Sequence, residues 1–111
     1  MKAFVIMPYK EPFEATYRSV IIPATNQSGL ESVIAKDESF AGPIVEKIHE
    51  LINEASICIA DLTETNPNVM YEVGIALTLK KPVIFITQGD LRSIPFDIRH
   101  HRIVTQSLIN M

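Results

Sequence analysis

Ala60-Asp61-Leu62-Thr63-Glu64-Thr65-Asn66-Pro67-Asn68-Val69-Met70-Tyr71-Glu72-Val73-Gly74 decides the fold of this chain. It continues the apolar run Ile57-Cys58-Ile59, so it begins as the end of a buried strand. It then crosses a polar loop and enters a helix at Asn66-Pro67, an N-cap residue followed by proline at the first helical position. A buried strand handing over to a helix in this way is the unit from which open α/β sheets are built. In such sheets ligands bind where loops and helix N-termini converge at the strand carboxyl ends. Asp61, Asn66, Asn68, Tyr71 and Glu72 all fall at or just beyond one such end.

Outward from this unit the same alternation repeats. Ala3-Phe4-Val5-Ile6-Met7, closed by Pro8, suits a strand buried on both faces. Pro12 opens a helical pattern whose apolar residues are Phe13, Tyr17, Val20 and Ile21; Pro23 kinks or ends it, and 26–29 reads as a turn. A short second strand is expected over 32–35. Pro43 then marks the first position of a helix with the stripe Ile44, Val45, Ile48, Leu51, Ile52 and Ala55, opposite Glu46, Lys47, Glu50 and Asn53. The third strand is expected over 56–62, the next helix runs to about Lys80, and the fourth strand covers 82–87. A long loop over 88–98 precedes a short fifth strand at 102–105. The order β-α-β-α-β-α-β-loop-β, with right-handed crossovers, predicts an α/β fold: a three-layer flavodoxin-like parallel sheet of strand order 2-1-3-4-5 with helices on both faces.

At 111 residues the chain is read as a single domain spanning 1–111. Its ending, Gln106-Ser107-Leu108-Ile109-Asn110-Met111, resembles the start of a helix that stops early; either the chain is that short or it is a fragment of a longer one. A hydrophobic fraction of 47% supports a packed core. The net charge of -3, without a basic stripe, argues against a reader of nucleic-acid polymers. No run is long enough for a membrane span or a signal peptide, and cytoplasmic location is the default. The single cysteine, Cys58, lies in an apolar run without metal-ligand spacing around it and reads as a small core residue.

The motifs Ala-Asp-Leu-Thr (60–63), Asn-Pro-Asn-Val-Met-Tyr-Glu-Val-Gly-Ile-Ala-Leu (66–77) and Lys-Pro-Val-Ile (81–84) resemble those of the nucleoside 2-deoxyribosyltransferase-like superfamily, which neighbours the TIR-like nucleotide-binding domains. Phe-Val-Ile-Met-Pro-Tyr (4–9) and Ile-Pro-Phe-Asp-Ile-Arg (94–99) resemble one branch of that group. The resemblance runs from Phe4 to Val104. It implies a site that cleaves or transfers at the N-glycosidic bond of a nucleoside or nucleotide. It implies that Glu72, in the Tyr-Glu-x-Gly motif, is the nucleophile and that Asn66 contacts sugar or phosphate. It also implies a homo-oligomer, and it calls for no cofactor and no metal.

The residues themselves leave alternatives beside each of these roles. Glu72 suits stabilisation of an oxocarbenium-like transition state or attack on C1′: it is near a helix N-terminus, whose dipole favours the ionised form, and on the flank of the stripe Val69, Val73, Ala76 and Leu77. Gly74 would let a backbone or ligand come close. Equally, Glu72 could be a glutamate placed only for the helix dipole. Asp61 is a second carboxylate within reach, or an Asx-turn residue for its loop. Asn66 and Asn68 face the ligand, or simply cap. Tyr71 closes over a base or packs against a helix, and Pro8 and Tyr9 line the crevice, with Tyr9 able to stack on a nucleobase. Arg99, in the cationic cluster 99–102, could meet a ligand phosphate, or the cluster could be solvated.

Two positions depart from the resembled enzymes. The aspartate that protonates the leaving base falls by register at Ile48, and Met7-Pro8-Tyr9-Lys10 replaces the glycine-rich loop of the nucleotide hydrolases. Three functions therefore compete: an N-glycosyl-bond enzyme, a non-catalytic nucleotide-binding (TIR-like) sensor or signalling module, and a protein-interaction domain whose polar junction is only structural.

Overall fold

The computed structural model describes residues 1–35, 45–64, 66–88 and 103–105, with the backbone alone at 45, 46 and 103–105. In chain order the elements are β1 (Lys2–Ile6), α1 (Phe13–Thr16), a π-helical turn (Tyr17–Ile21), α2 (Ile22–Gln27), β2 (Glu31–Val33), α3 (Val45–Glu54), β3 (Ile57–Asp61), α4 (Pro67–Thr78), β4 (Val83–Thr87) and β5 (Ile103–Thr105). All strand pairs are parallel and the sheet order is β2-β1-β3-β4-β5, as the alternation of elements predicts.

Register explains why these strands read as unbroken apolar runs. Phe4 pairs with Cys58 and Ile6 with Ala60, while Cys58 pairs with Val83 and Ala60 with Phe85, so these side chains share one face of the sheet. They pack with Ile48, Leu51 and Ile52 of α3 and Val69, Val73 and Ala76 of α4 in one core. Val5, Met7 and Ile86 point to the other face and meet Phe13 and Ile21 of the first helical segment. A parallel sheet covered on both faces has no polar side to alternate with. Cys58 is wholly buried, and burial pushes its thiol up to about 11, so it is an inert core residue at neutral pH.

Pro23 does not end the first helical segment, which continues through it to Gln27. Proline has no N–H to donate and its ring would collide with the carbonyl four residues back. The turn before it widens to π spacing and the helix resumes as α2, with Pro23 in its first turn. The turn expected over 26–29 therefore begins only at Ser28, since Asn26 and Gln27 are still helical. Strand β2 is also displaced from its expected 32–35: it covers Glu31–Val33, where its pairing with Lys2 to Phe4 of β1 runs out. Pro43 and Ile44 lie outside the described residues, as do residues 89–102, with most of the loop expected over 88–98, and residues 106–111.

Helices α2 and α4 end in the same hydrogen-bond pattern with different residues at its critical position. After α2, Leu30 N donates to Thr25 O at 2.9 Å and Gly29 N to Asn26 O at 3.1 Å, with Gly29 at φ 75°. After α4, Lys81 N donates to Ala76 O and Lys80 N to Leu77 O, both at 3.0 Å, with Lys80 at φ 59°. Both are Schellman motifs, whose left-handed position favours glycine because a Cβ crowds the carbonyl there. Lys80→Gly is expected to raise stability by about 0.5–1 kcal/mol, read as a shift in urea midpoint at constant m-value. Lys81 next door ties α4 to α3: its Nζ donates to Asn53 O at 2.7 Å and Ala55 O at 2.9 Å, satisfying carbonyls at the end of α3.

Candidate functional site

The sheet order places a topological switch between β1 and β3. The chain leaves β1 towards β2 on one side and leaves β3 towards β4 on the other, so the two connections diverge above adjacent strand ends. Crevices of this kind hold the ligands of open α/β proteins. One wall here is the loop after β1, with Met7 and Pro8 buried and Tyr9 exposed. Its far end is anchored by Glu11, whose Oε1 accepts from Ala15 N at 2.9 Å while Oε2 meets Arg18 at 3.0 Å.

The floor is the end of β3. Asp61 is 2% exposed. Its Oδ1 accepts from Thr63 N at 3.0 Å and Thr63 Oγ1 at 2.6 Å, and Thr63 Oγ1 in turn accepts from Gln88 N at 3.0 Å. Of the two roles open to Asp61, the Asx-turn is therefore the one realised; the carboxylate closes its own loop and, through Thr63, clamps that loop to the end of β4. Burial raises the Asp61 carboxyl above its ordinary range, against the opposing pull of the two Thr63 hydrogen bonds. Thr63 had a visible signal in the Asp-x-Thr spacing, the pattern of a side chain bonding its backbone two residues on.

The other wall is the start of α4. Asn66 accepts from Asn68 N at 2.9 Å and Val69 N at 3.1 Å, so it is the N-cap. Asn68 is exposed and donates only its backbone N–H to this cap. Tyr71 is 55% exposed.

Glu72 is not where the dipole argument put it. The helix starts at Pro67, so Glu72 belongs to its second turn, and no acidic residue stands in the first. The helix-end field falls off within one turn. Burial dominates instead and raises the carboxyl to about 7, the opposite of the direction that a helix N-terminus would impose. Among the described residues no hydrogen bond or ion pair reaches it. A half-buried carboxyl with no partner among the described residues gains nothing for the fold from its charge.

At Gly74 a Cβ would meet nothing within 4 Å among the described residues, so of the two uses expected for it no described backbone takes the first, and the approach of a ligand is left open. Gly74→Ala is expected to stabilise α4 by about 0.5–1 kcal/mol in thermal or urea unfolding.

Lys10 Nζ donates to Glu64 Oε1 at 3.1 Å, joining the loop after β1 to the loop after β3. The side chains are 56% and 46% exposed; an ion pair this open contributes about 0–1 kcal/mol. Neither residue stood out in the sequence, since 54 positions separate them. Arg99 lies outside the described residues. Ile48, at the register position of a leaving-group acid, is 5% exposed and belongs to the core, while neighbouring His49 is exposed. No group of three or more His, Cys, Asp or Glu side chains among the described residues converges to hold a metal ion.

No protein-family model and no curated protein matches the sequence. Solved structures do match the fold. The TIR domain of the Toll-related receptor TRR-2 from Hydra magnipapillata superimposes with a TM-score of 0.78 at 12% identity, covering 97% of this chain and 86% of that domain. A 2-deoxyribosyltransferase from Bacillus psychrosaccharolyticus gives 0.74 at 14% identity, covering 100% and 92%. The CMP N-glycosidase of Clostridium botulinum gives 0.66 at 16% identity, covering 100% of both chains. The chain has the fold these proteins share. The deoxyribosyltransferase-like fold with its TIR-like relation is thus the architecture that the motifs at 60–84 had pointed to. At these identities the likeness is one of fold.

Proposed function

We propose that this domain cleaves or transfers at the N-glycosidic bond of a nucleoside or nucleotide, with Glu72 acting on C1′. The observation that carries the reading is Glu72 itself: a half-buried carboxyl, raised to about 7 by desolvation, with no partner among the described residues, on the helix that follows the strand at the switch point. In this reaction the C1′–N bond breaks and its electron pair leaves with the base, which takes up a proton. A Glu72 oxygen either forms a bond to C1′ or stabilises the positive charge developing there. Water, or a second base, then attacks C1′ and frees the carboxylate. Pro8, Tyr9, Tyr71, Asn66 and Asn68 would line the pocket and Asp61 would hold its floor, with Arg99 a further candidate for contact with phosphate. The likeness of fold to a deoxyribosyltransferase and an N-glycosidase supports this choice among the reactions open to a lone carboxylate.

A second reading is a nucleotide-binding module without chemistry, and Ile48 favours it. A buried isoleucine cannot protonate a leaving base, and general-acid help contributes roughly 10²–10⁴-fold to rate. The deciding experiment incubates the protein with nucleosides, nucleoside monophosphates and NAD and follows free base by chromatography, with Glu72→Gln alongside. Base release that depends on Glu72 supports the enzyme; thermal stabilisation by a compound that releases no base supports the module. A homo-oligomer is the expected assembly, which light scattering checks. No helix among the described residues is long and apolar enough to cross a membrane.

A further inference from the structure

Gly74 is a cost that no described residue explains. It stands exposed in the interior of α4, where glycine weakens a helix, and nothing described lies within 4 Å of the Cβ it lacks. A ligand on Glu72 does not use that space either, because two residues carry the helix about 200° round its axis. Around Gly74 the outer face of α4 has a regular order. Pro67, Tyr71, Gly74 and Thr78 are all exposed and follow one another at spacings of four, three and four residues. That is the repeat that keeps a seam turned towards a partner helix. The stripe carries no charge, and half-buried Met70 and Leu77 border it.

The spacing reads the same in both directions, and this selects the partner. When two copies of α4 lie antiparallel about a two-fold axis, Tyr71 of each meets Gly74 of the other and Pro67 meets Thr78. The 55% exposed Tyr71 is the knob and Gly74, one turn on, is the hollow. An uncharged seam brings no like charges together. At its ends exposed Glu64, before the helix, comes to the level of exposed Lys80, after it, so opposite signs face each other. We propose that this face of α4 is a contact between two copies of the chain, an antiparallel helix pair with Tyr71 of each seated over Gly74 of the other. The exposure of Tyr71 then serves a partner copy in place of a base, and the glycosyl reading, carried by Glu72, is independent of it. One helix of 12 residues offers a small interface, so the dimer is weak and depends on concentration.

Sedimentation velocity from about 1 μM to about 1 mM reads the association of the wild type, Tyr71→Gly, Gly74→Tyr and the double variant carrying both. The wild type is expected to pass from monomer to dimer in this range. Gly74→Tyr sets ring against ring and Tyr71→Gly leaves hollow against hollow. Each alone should weaken the dimer about thirtyfold or more, the usual loss for an aromatic anchor at the centre of an interface. The double variant exchanges knob and hollow on both copies and should recover the dimer. A urea transition at the lowest concentration checks that each variant is folded; Gly74→Tyr removes a helix glycine and keeps the fold whatever the double variant does. A wild type that stays monomeric at every concentration overturns the proposal together with the expected homo-oligomer, and leaves this face to a partner of another kind. A dimer indifferent to both single variants, or one that the folded double variant fails to recover, overturns the proposal alone. Base release that depends on Glu72 tests the glycosyl reading separately.

Discussion

Glu72→Gln is expected to give a protein that is more stable than the wild type at pH 8 and that releases no base. The two effects share one cause. In the unfolded chain the carboxyl ionises around 4.5, whereas in the fold burial holds its proton until about 7. Below about pH 4.5 the group is protonated in both states and costs nothing. Between the two values the unfolded chain has lost the proton and the native state still binds it, so stability falls as pH rises. Above about pH 7 the loss is complete and constant. It amounts to at most about 3 kcal/mol, and less to the extent that solvent reaches the group. Glutamine has nearly the same shape and no charge to desolvate. Urea midpoints should therefore coincide near pH 4 and separate by pH 8, with the variant higher; coincident midpoints at both would show that Glu72 is not desolvated. Base release should meanwhile fall by about 10³-fold or more, the usual order for loss of a nucleophile. A nucleophile must be ionised, so wild-type activity should rise with pH through about 7. A falling limb there would instead assign Glu72 to proton donation.

Asp61→Ala is expected to be the most destabilising change at the site, by about 2–4 kcal/mol. It removes the acceptor of Thr63 N and Thr63 Oγ1 at a position 2% exposed, and with it the orientation of the hydroxyl that accepts from Gln88 N. Asp61→Asn keeps an oxygen in the same place and removes a charge that burial disfavours, so it should cost under about 1 kcal/mol at neutral pH. This contrast tests whether Asp61 serves the fold as an acceptor or the reaction as a charge. Equal loss of activity in both variants, with Asp61→Asn fully stable, would return Asp61 to the chemistry. Activity that follows stability would keep it as the clamp of the loop.

Glu72 and Asp61 also mark how far the sequence reaches. Strand order, parallel pairing and the two covered faces were legible because they depend on local pattern: unbroken apolar runs, helical stripes and crossover handedness. The Asn66 cap with Pro67 behind it was equally legible, since its partners lie two and three residues away. The passage of the helix through Pro23 was not, because a widened turn and a broken helix begin with the same residues.

At the site, residue identities came from the chain and their physical states from the assembled domain. The sequence by itself determined that Asp, Asn, Tyr and Glu gather beyond the end of the third strand. Only the tertiary structure decided that burial outweighs the helix dipole at Glu72, because desolvation is set by neighbours distant in sequence whereas a dipole can be read from a helix start. It likewise decided that Asp61 is bonded to Thr63, and that Lys10 and Glu64, 54 positions apart, join the loops after β1 and β3. Distance along the chain carries no information about such pairs until the sheet brings β1 and β3 side by side.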